Sequence, residues 1–272
     1  MTTKINLVVA HTLEARPLIK YLGLRQTATT PPLYVNEDGI RLIVSGEGQH
    51  CAWQAVNYLA ELDGTAAIQA WLNIGIAGHQ SMNIAQILLA NKIVSRRSGE
   101  AVFPTLILPA LQKFGELHTV DEPERQYPEN VAYDMEAFAF FKAASAISTV
   151  ELIHCFKIIS DNKQNSVDTL IPARVKSLME SALGEIREVV AELQQLQGQV
   201  YQWQQSPPEL EFFLDEVHLT VTQQTQLLRL CQRYYALGMK SELQKLTCSR
   251  ILTSMDGREL IGRLQSKLAG PQ

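Results

Sequence analysis

Residues 4–22 read KINLVVAHTLEARPLIKYL, and this stretch decides the fold. Residues 4–10 form a β-branched, apolar run bounded by polar residues, which is typical of a strand buried within a sheet. Residues 11–22 then place apolar side chains at helical spacing. Because proline fits a helix best in its first turn, Pro17 predicts a helix that begins near Leu13 or Glu14. A buried strand followed directly by a helix predicts an α/β domain.

The same alternation continues along the chain. Further buried strands are predicted at residues 70–76, 84–93 and 150–160, and a hairpin is predicted at 33–45 around the turn Glu37-Asp38-Gly39. Helices are predicted at 51–62, 135–147 and 170–203, with Asp134 as the N-cap of the middle one. The sequence therefore predicts a mixed, mostly parallel sheet flanked by helices. In such sheets the ligand binds beyond the carboxyl ends of the strands.

The composition excludes several classes of protein. The 272 residues are 46% apolar and 19% charged with a net charge of -4, which does not fit a disordered chain. The first residues lack a signal-peptide cleavage pattern, and no apolar run reaches the roughly 20 residues that cross a bilayer, so we expect a cytoplasmic protein. The four cysteines and six histidines are scattered without metal-site spacing, so neither a metal nor a cofactor is expected.

Ser206-Pro207-Pro208 ends the long helical pattern. It separates an α/β domain at residues 1–204 from a helical C-terminal extension at 209–272. Within the extension, Gly238 predicts a helix end, and Asp256 to Glu259 has the spacing of a capping box.

The last part of the extension, from Thr220 onward, is basic, whereas the rest of the chain is acidic. From Thr220 onward, eight basic residues face three acidic ones. Two interpretations stay open. The extension packs on the α/β core or on a second subunit, which is the commoner outcome for a helical appendage, or its charge engages an acidic partner such as nucleic acid. No groove-reading motif accompanies the basic residues, which favours the first interpretation.

Small and acidic residues follow the predicted strands in five short motifs. These are V-V-A-H-T-L-E at 8–14, S-G-E-G at 45–48, N-I-G-I-A-G at 73–78, Y-D-M-E-A at 133–137 and K-I-I-S-D-N at 157–162. In this order they resemble the signatures of the nucleoside phosphorylase and nucleosidase superfamily, with the nearest likeness to the 5′-methylthioadenosine/S-adenosylhomocysteine nucleosidases. The resemblance covers about residues 4 to 200 and implies a nucleoside phosphorylase-like α/β fold and a homodimer.

The resemblance also implies roles for individual residues. Asp161 would hold or deliver a proton at purine N7, Glu14 would deprotonate the attacking water, and Glu136 would bind the ribose hydroxyls. The implied substrate-binding residues are Ala77, Gly78, Met135 and Ser160. An aromatic side chain should clamp the base, and Phe103 is the expected one, with Phe114, His118 and Tyr127 as alternatives. The expected activity is hydrolysis of the N-glycosidic bond of a purine nucleoside or thionucleoside.

Two other functions remain open. Phosphorylases of the superfamily usually carry a Gly-Asp-Pro-type phosphate loop where this chain has Glu14, and a carboxylate there repels phosphate. Arg96-Arg97 and Lys157 are nevertheless candidate anion partners, so a phosphate-dependent phosphorylase is one alternative. The other is a nucleoside-binding or scaffold protein with little or no turnover that engages a partner through its tail. It is favoured by the region between residues 93 and 133, which is shorter than the resemblance implies, and by the added helical unit. Ile76 also stands where the family has a hydroxyl that holds water.

Overall fold

The computed structural model describes residues 4–62, 68–105, 107–108, 113–204, 206–247 and 256–268. The chain divides into two compact units, residues 1–198 and residues 199–272. The strands all lie in the first unit, whereas the second unit is helical. No described helix combines the length and the apolar character that crossing a membrane requires.

The first unit contains ten described strands and the helices that cover them. The strands are β1 (Ile5–Val9), β2 (Arg25–Thr29), β3 (Pro32–Val35), β4 (Ile40–Val44), β5 (Ala70–His79), β6 (Ile87–Ser95), β7 (Ala101–Val102), β8 (Phe114–Thr119), β9 (Ala132–Asp134) and β10 (Ile153–Asp161). The helices are α1 (Thr12–Tyr21), α2 (Gln49–Glu61), α3 (Ala137–Ser145), α4 (Pro172–Ser181) and α5 (Leu183–Gln204). Single turns of 3₁₀ helix lie at Val150–Leu152 and Val167–Thr169.

The strands form one sheet in the order β10-β6-β8-β9-β5-β1-β4-β3-β2, with β7 beside β6. Because β10 also pairs with β5, the first five strands of this order close into a barrel, and the other four extend from β5. Among the described pairings five are parallel and five antiparallel. The α/β class and the mixed sheet are confirmed, but the prediction of a mostly parallel sheet holds only for part of it. Strands β7 and β8 lie between residues 95 and 130, where the sequence has no clear period, and β9 runs antiparallel to β5.

The central strands are buried on both faces, as their apolar sequences predict. Every residue of β1, β4 and β10 is buried. Helices α2 and α3 pack on the sheet through an apolar cluster that includes Val56, Trp71 and Phe140. Burying a side chain such as that of Phe140 stabilises the fold by about 1.5–3 kcal/mol. These layers hold the carboxyl ends of β1, β5 and β10 in fixed positions.

Helix α1 begins at Thr12, one to two residues before the predicted start, and Pro17 lies in its interior. His11 caps the helix: its Nδ1 accepts from the Leu13 N–H at 3.1 Å, and the Glu14 carboxylate accepts from the His11 N–H at 3.0 Å. These two bonds fix the helix start, which overrides the preference of proline for the first turn. They also fix the direction of the Glu14 side chain.

Two other helix predictions need correction. Helix α3 begins at Ala137, because Asp134 is still part of β9, although its Oδ2 accepts from the Ala137 N–H at 2.8 Å as a cap would. The long helix predicted at 170–203 is two helices, α4 and α5. The N–H of Ala182 donates to the Met179 carbonyl at 3.2 Å, a three-residue bond that tightens the last turn of α4.

The second unit contains four described helices, α6 (Pro208–Glu216), α7 (Val221–Ala236), α8 (Lys240–Thr247) and α9 (Gly257–Leu268). They share an apolar core that includes Phe213, Leu227 and Leu243. The predicted helix end at Gly238 is confirmed, since α7 stops at Ala236 and Gly238 has a φ of +69°. Asp256 caps α9 by accepting from the Glu259 N–H at 2.9 Å. The apolar faces of short helices thus bury one another within this unit.

Candidate active site

The first unit contains a cavity of about 310 Å³ at the carboxyl ends of the central strands. The three predicted carboxylates, Glu14, Glu136 and Asp161, all line it. The four other residues predicted to contact substrate there are Ala77, Gly78, Met135 and Ser160. Phe103 does not line this cavity, and its side chain is 66% exposed. Seven of the eight predicted site residues are therefore brought together.

Glu14 enters the cavity from the first turn of α1. It is buried, and its Oε1 accepts from the Ile76 N–H at 2.9 Å, while its Oε2 accepts from the His11 N–H at 3.0 Å. Burial raises the pKa of the Glu14 carboxyl, and the two N–H bonds and nearby Lys157 oppose that rise. A carboxylate that is fixed in direction and has a raised pKa is suited to accept a proton.

Glu136 lies between β9 and α3 and is also buried. Its Oε1 accepts from the Gly48 N–H at 2.7 Å. Gly48 has a φ of +90°, a conformation that glycine adopts readily, and this conformation belongs to the loop between β4 and α2. Burial raises the pKa of Glu136 to about 7, with Lys157 lowering it and Asp134 raising it further. The S-G-E-G motif at 45–48 and the Y-D-M-E-A motif at 133–137 are thus joined by the hydrogen bond from Gly48 to Glu136.

Asp161 ends β10 beside Gly78 of β5, its partner in the parallel register. The Ser160 hydroxyl donates to its Oδ1, and the Tyr127 hydroxyl donates to its Oδ2. A Cβ at Gly78 would overlap the Asp161 carboxylate and the Tyr127 ring, so a side chain does not fit at that position. Glycine is therefore required there for space, because its backbone lies directly against the carboxylate.

A buried ion pair supports the cavity from behind. Lys157 Nζ lies 2.8 Å from Asp134 Oδ2, and both side chains are almost fully buried. Burial alone lowers the pKa of Lys157, but Asp134 and Glu136 raise it more, so the ammonium stays charged. Glu14 and Lys157 both reach the same point beside Gly75. An ideal Cβ built on Gly75 would lie 3.1 Å from Glu14 Oε1 and 3.6 Å from Lys157 Nζ, so the ammonium lies close to the Glu14 carboxylate.

The candidate anion partners all face carboxylates. Lys157 pairs with Asp134, Arg96 pairs with Glu129 at 2.6 Å, and Arg97 pairs with Asp121 at 2.9 Å. None of the described residues lining the cavity is lysine or arginine, whereas six are acidic: Glu14, Glu47, Glu124, Asp134, Glu136 and Asp161. Most of the polar side chains that line the cavity are thus carboxyl groups.

Two tyrosines of the site have contacts that the sequence does not predict. Tyr133 lines the cavity, and its position directly before the D-M-E motif was the available signal. The sequence suggests Tyr127 only as an alternative clamp for the base, but Tyr127 is 1% exposed and its hydroxyl contacts Asp161. Among the described residues no group of three or more His, Cys, Asp or Glu side chains is arranged to hold a metal ion.

Comparisons with known proteins assign the fold. No protein-family model matches the sequence, and a search of the curated proteins gives no match. Among solved structures, this chain is similar to the apo 5′-methylthioadenosine nucleosidase of Arabidopsis thaliana, with 18% identity, a TM-score of 0.58, and coverage of 71% of this chain and 96% of that chain.

Two Helicobacter pylori structures are similar to this chain with the same TM-score. One is a 5′-methylthioadenosine/S-adenosylhomocysteine nucleosidase and the other a futalosine hydrolase, each with 15% identity, a TM-score of 0.58, and coverage of 71% of this chain and 99% of that chain. The chain thus has the fold of these nucleosidases and of the futalosine hydrolase, which is the fold that the resemblance of the motifs implies.

Proposed function

We propose that this protein is a nucleosidase that hydrolyses the N-glycosidic bond of a purine nucleoside or thionucleoside, such as methylthioadenosine or S-adenosylhomocysteine. The observation that carries the proposal is the convergence of Glu14, Glu136 and Asp161, from three separate segments, on one cavity of about 310 Å³. Cleaving this bond develops positive charge on the sugar and negative charge on the base, and both need nearby acidic groups. The similar structures are nucleosidases and a hydrolase, which supports the same reaction class.

Glu14 is the proposed general base. Water attacks C1′ of the ribose as the bond from C1′ to the purine nitrogen breaks, and the proton of the water passes to the Glu14 carboxylate. The two N–H groups that bind Glu14, at 2.9 and 3.0 Å, hold the carboxylate in one orientation. Because burial raises its pKa, it is a stronger base than an exposed glutamate.

Glu136 and Asp161 act on the two products of the cleavage. Glu136 accepts hydrogen bonds from the ribose hydroxyls, and its negative charge stabilises the cationic sugar. Asp161 holds or delivers a proton at purine N7, so that the base leaves as a neutral molecule. Gly78 and Ala77 bring backbone rather than side chains against the base, next to Asp161. The net reaction consumes one water and gives the free base and the free sugar.

The charge of the cavity supports hydrolysis rather than phosphorolysis. Six acidic residues line it, and its described lining contains neither lysine nor arginine. Phosphate carries negative charge and would be repelled at the position that the attacking group must occupy. Water is uncharged and is activated by the same carboxylates.

The test is a panel of purine nucleosides, including methylthioadenosine and S-adenosylhomocysteine, incubated with and without phosphate. Chromatography should detect free base at the same rate in both conditions. Base release that requires phosphate and yields ribose 1-phosphate would instead support a phosphorylase. The member of the panel with the highest kcat/KM identifies the substrate.

A nucleoside-binding protein with little turnover is the second candidate. It is favoured by Ile76, which lines the cavity without offering a hydroxyl to a water molecule, and by the position of Phe103 outside the cavity. Calorimetry that detects tight nucleoside binding, together with no free base in chromatography, would support this function. Rapid release of adenine would exclude it.

We also propose that the protein is a cytoplasmic homodimer and that residues 209–272 form a helical extension of a nucleosidase-like domain at 1–204. The resemblance of the motifs supports the dimer, which sedimentation of the full chain would test.

A nucleic-acid partner for the basic tail is testable by titrating the full chain with duplex DNA at low salt. The described residues that line the cavity of the proposed activity lie between Ala10 and Val175.

A further inference from the structure

Tyr127 is buried directly behind the Asp161 carboxylate. Its side chain is 1% exposed and does not line the cavity, yet its hydroxyl donates to Asp161 Oδ2. The other carboxylate oxygen, Oδ1, accepts from Ser160. Both oxygens of Asp161 are therefore bound by hydroxyl groups from the protein.

The backbone around Tyr127 is held in an unusual conformation. Tyr127 has a φ of +46°, which is uncommon for a residue with a side chain. Gln80 stabilises this segment, since its Nε2 donates to the Tyr127 carbonyl at 2.9 Å and to the Pro128 carbonyl at 3.3 Å. Strain of this kind persists where the surrounding contacts fix the segment, and it often occurs at functional sites.

The ring of Tyr127 is fixed as firmly as its backbone. It packs edge-on against Tyr133, with 6.1 Å between the ring centroids, and it lies against Gly78, where a Cβ would overlap it. The hydroxyl is thereby directed at one atom of Asp161. A hydrogen bond to a carboxylate is among the strong ones in proteins, because the acceptor is charged.

We propose that Tyr127 is a positioning residue that fixes the orientation of the Asp161 carboxylate towards the departing base. The proposal rests on the function proposed above. The terminal torsion of an aspartate is broad, so the carboxylate of an unrestrained Asp161 could rotate. With Ser160 on Oδ1 and Tyr127 on Oδ2, rotation would break a hydrogen bond at each oxygen. Transfer of a proton to purine N7 depends on this geometry.

The test is Tyr127→Phe, which removes the hydroxyl and keeps the ring. With methylthioadenosine, kcat should fall roughly tenfold while KM stays within about twofold, because orientation is lost rather than binding. With 4-nitrophenyl riboside, whose leaving group needs no protonation, the rate should stay within about twofold. General damage to the site would slow both substrates, and this result would overturn the proposal. Equal rates of the variant and the wild type on methylthioadenosine would overturn it too.

Tyr234→Phe is the matched control. Tyr234 is a fully buried tyrosine of the second unit, its hydroxyl donates to the Leu264 carbonyl at 3.0 Å, and it is not among the residues that line the cavity. This variant loses the same atom and should release base at the wild-type rate. A loss equal to that of Tyr127→Phe would show that removing any buried hydroxyl is enough, which contradicts a positioning role.

A spectroscopic measurement decides the proposal even if the protein hydrolyses no nucleoside. The ¹³C resonance of the Asp161 carboxyl, assigned with Asp161→Asn, is compared between the wild type and Tyr127→Phe at one pH. Because the Tyr127 hydroxyl donates to Asp161 Oδ2, the resonance should move when this hydroxyl is removed. An identical resonance in the two proteins overturns the positioning role. If wild-type protein releases no base but the two resonances differ, the proposed function fails and the hydrogen bond stands.

The wild-type protein provides a further measurement should Tyr127→Phe not fold. A hydroxyl proton bound to a buried carboxylate exchanges slowly and resonates downfield. This proton resonance should be present in the wild type and absent in Asp161→Ala. A spectrum of folded wild-type protein without such a resonance would overturn the proposal.

Discussion

Each of the three carboxylates in the cavity is held by different partners. Glu14 accepts from two backbone N–H groups, Glu136 accepts from one, and Asp161 accepts from two hydroxyls. Backbone donors stay in place when a side chain is replaced, whereas hydroxyl donors depend on Ser160 and Tyr127. Different environments let chemically similar groups take the roles of base, electrostatic stabiliser and acid.

Asp161→Asn and Glu14→Gln should each lower the rate of base release on the order of 10²–10⁴-fold, because an amide neither delivers nor accepts the proton. Both substitutions keep the shape of the side chain, so the circular dichroism spectrum should be unchanged. The measurement is kcat for methylthioadenosine under saturating substrate. A variant that keeps the wild-type rate would remove that residue from its assigned role.

The pH dependence should reflect Glu136, whose pKa is raised to about 7 by burial. Its ionised form stabilises the cationic sugar, so kcat/KM should fall as the pH drops below about 7. An acid limb at the pH typical of an exposed carboxyl would contradict this assignment. The profile is measured with methylthioadenosine between pH 5 and 9, on the order of one point per half unit.

The raised pKa of Glu136 also makes the stability of the fold depend on pH. A folded-state pKa of about 7, above the ordinary 4.5, means that the fold favours the protonated form of Glu136. Its contribution is therefore complete below pH 4.5 and is lost as the pH rises through about 7. Glu136→Gln removes this ionisation, so its melting temperature should exceed that of the wild type more at pH 8 than at pH 4.

At the scale of elements, β5 is the central support of the site. It pairs with β1 and β10 in parallel and with β9 in antiparallel orientation, so that Gly78 lies beside both Asp161 and Tyr133. This single strand brings the ends of three others to one cavity. The close approach of the strands depends on glycine at position 78.

Gly78→Ala should reduce base release at least about tenfold and destabilise the fold by roughly 1–3 kcal/mol, because the new methyl group overlaps Asp161 and Tyr127. Gly184→Ala is the control, since a Cβ at this exposed position in α5 has no neighbour within 4 Å. It should leave activity unchanged and, by its better helix propensity, raise stability by up to about 1 kcal/mol. Kinetics and urea unfolding of both variants measure these effects, and a fully active Gly78→Ala would contradict the packing described.

The elements differ in how far their sequences predict them. Strands β1, β5 and β10 are buried, and an unbroken apolar run in the sequence predicts each of them. Strand β9 has only three residues, and β8 passes from exposed to buried along its length, so neither has a clear period. The closed barrel was not predictable for this reason.

The candidate site, too, is predictable only where its residues lie next to elements with a clear sequence pattern. The motifs place Glu14, Glu136 and Asp161 because these residues follow or flank recognisable elements. The partner of Asp161 could not be found in this way, since Tyr127 lies in an irregular loop and contacts Asp161 across 34 positions of sequence. The prediction that Phe103 clamps the base rests on its residue type alone, and the structure places Phe103 outside the cavity.

At the scale of the whole molecule, two compact units differ in secondary structure and in charge pattern. The first unit holds the sheet and all the described residues that line the cavity. The second unit has an apolar core of its own. The proposed chemistry is therefore assigned to residues of the first unit.

A chain that ends at Gln204, the last residue of α5, should release base at a rate within about twofold of the full chain. The cavity lining ends at Val175, which is the reason for this expectation. Kinetics of the folded truncated chain and the full chain, measured side by side, provide the comparison. A folded truncated chain without activity would show that the helical unit contributes to catalysis.

Hydrolysis in H₂¹⁸O is the most direct test of the central claim. The full chain is incubated with methylthioadenosine in labelled water without phosphate, and the products are analysed by mass spectrometry. We predict free adenine and a sugar that carries one ¹⁸O atom, because water attacks C1′. Unlabelled sugar phosphate that forms only when phosphate is added, or no free base at all from any nucleoside of the panel, would contradict a nucleosidase.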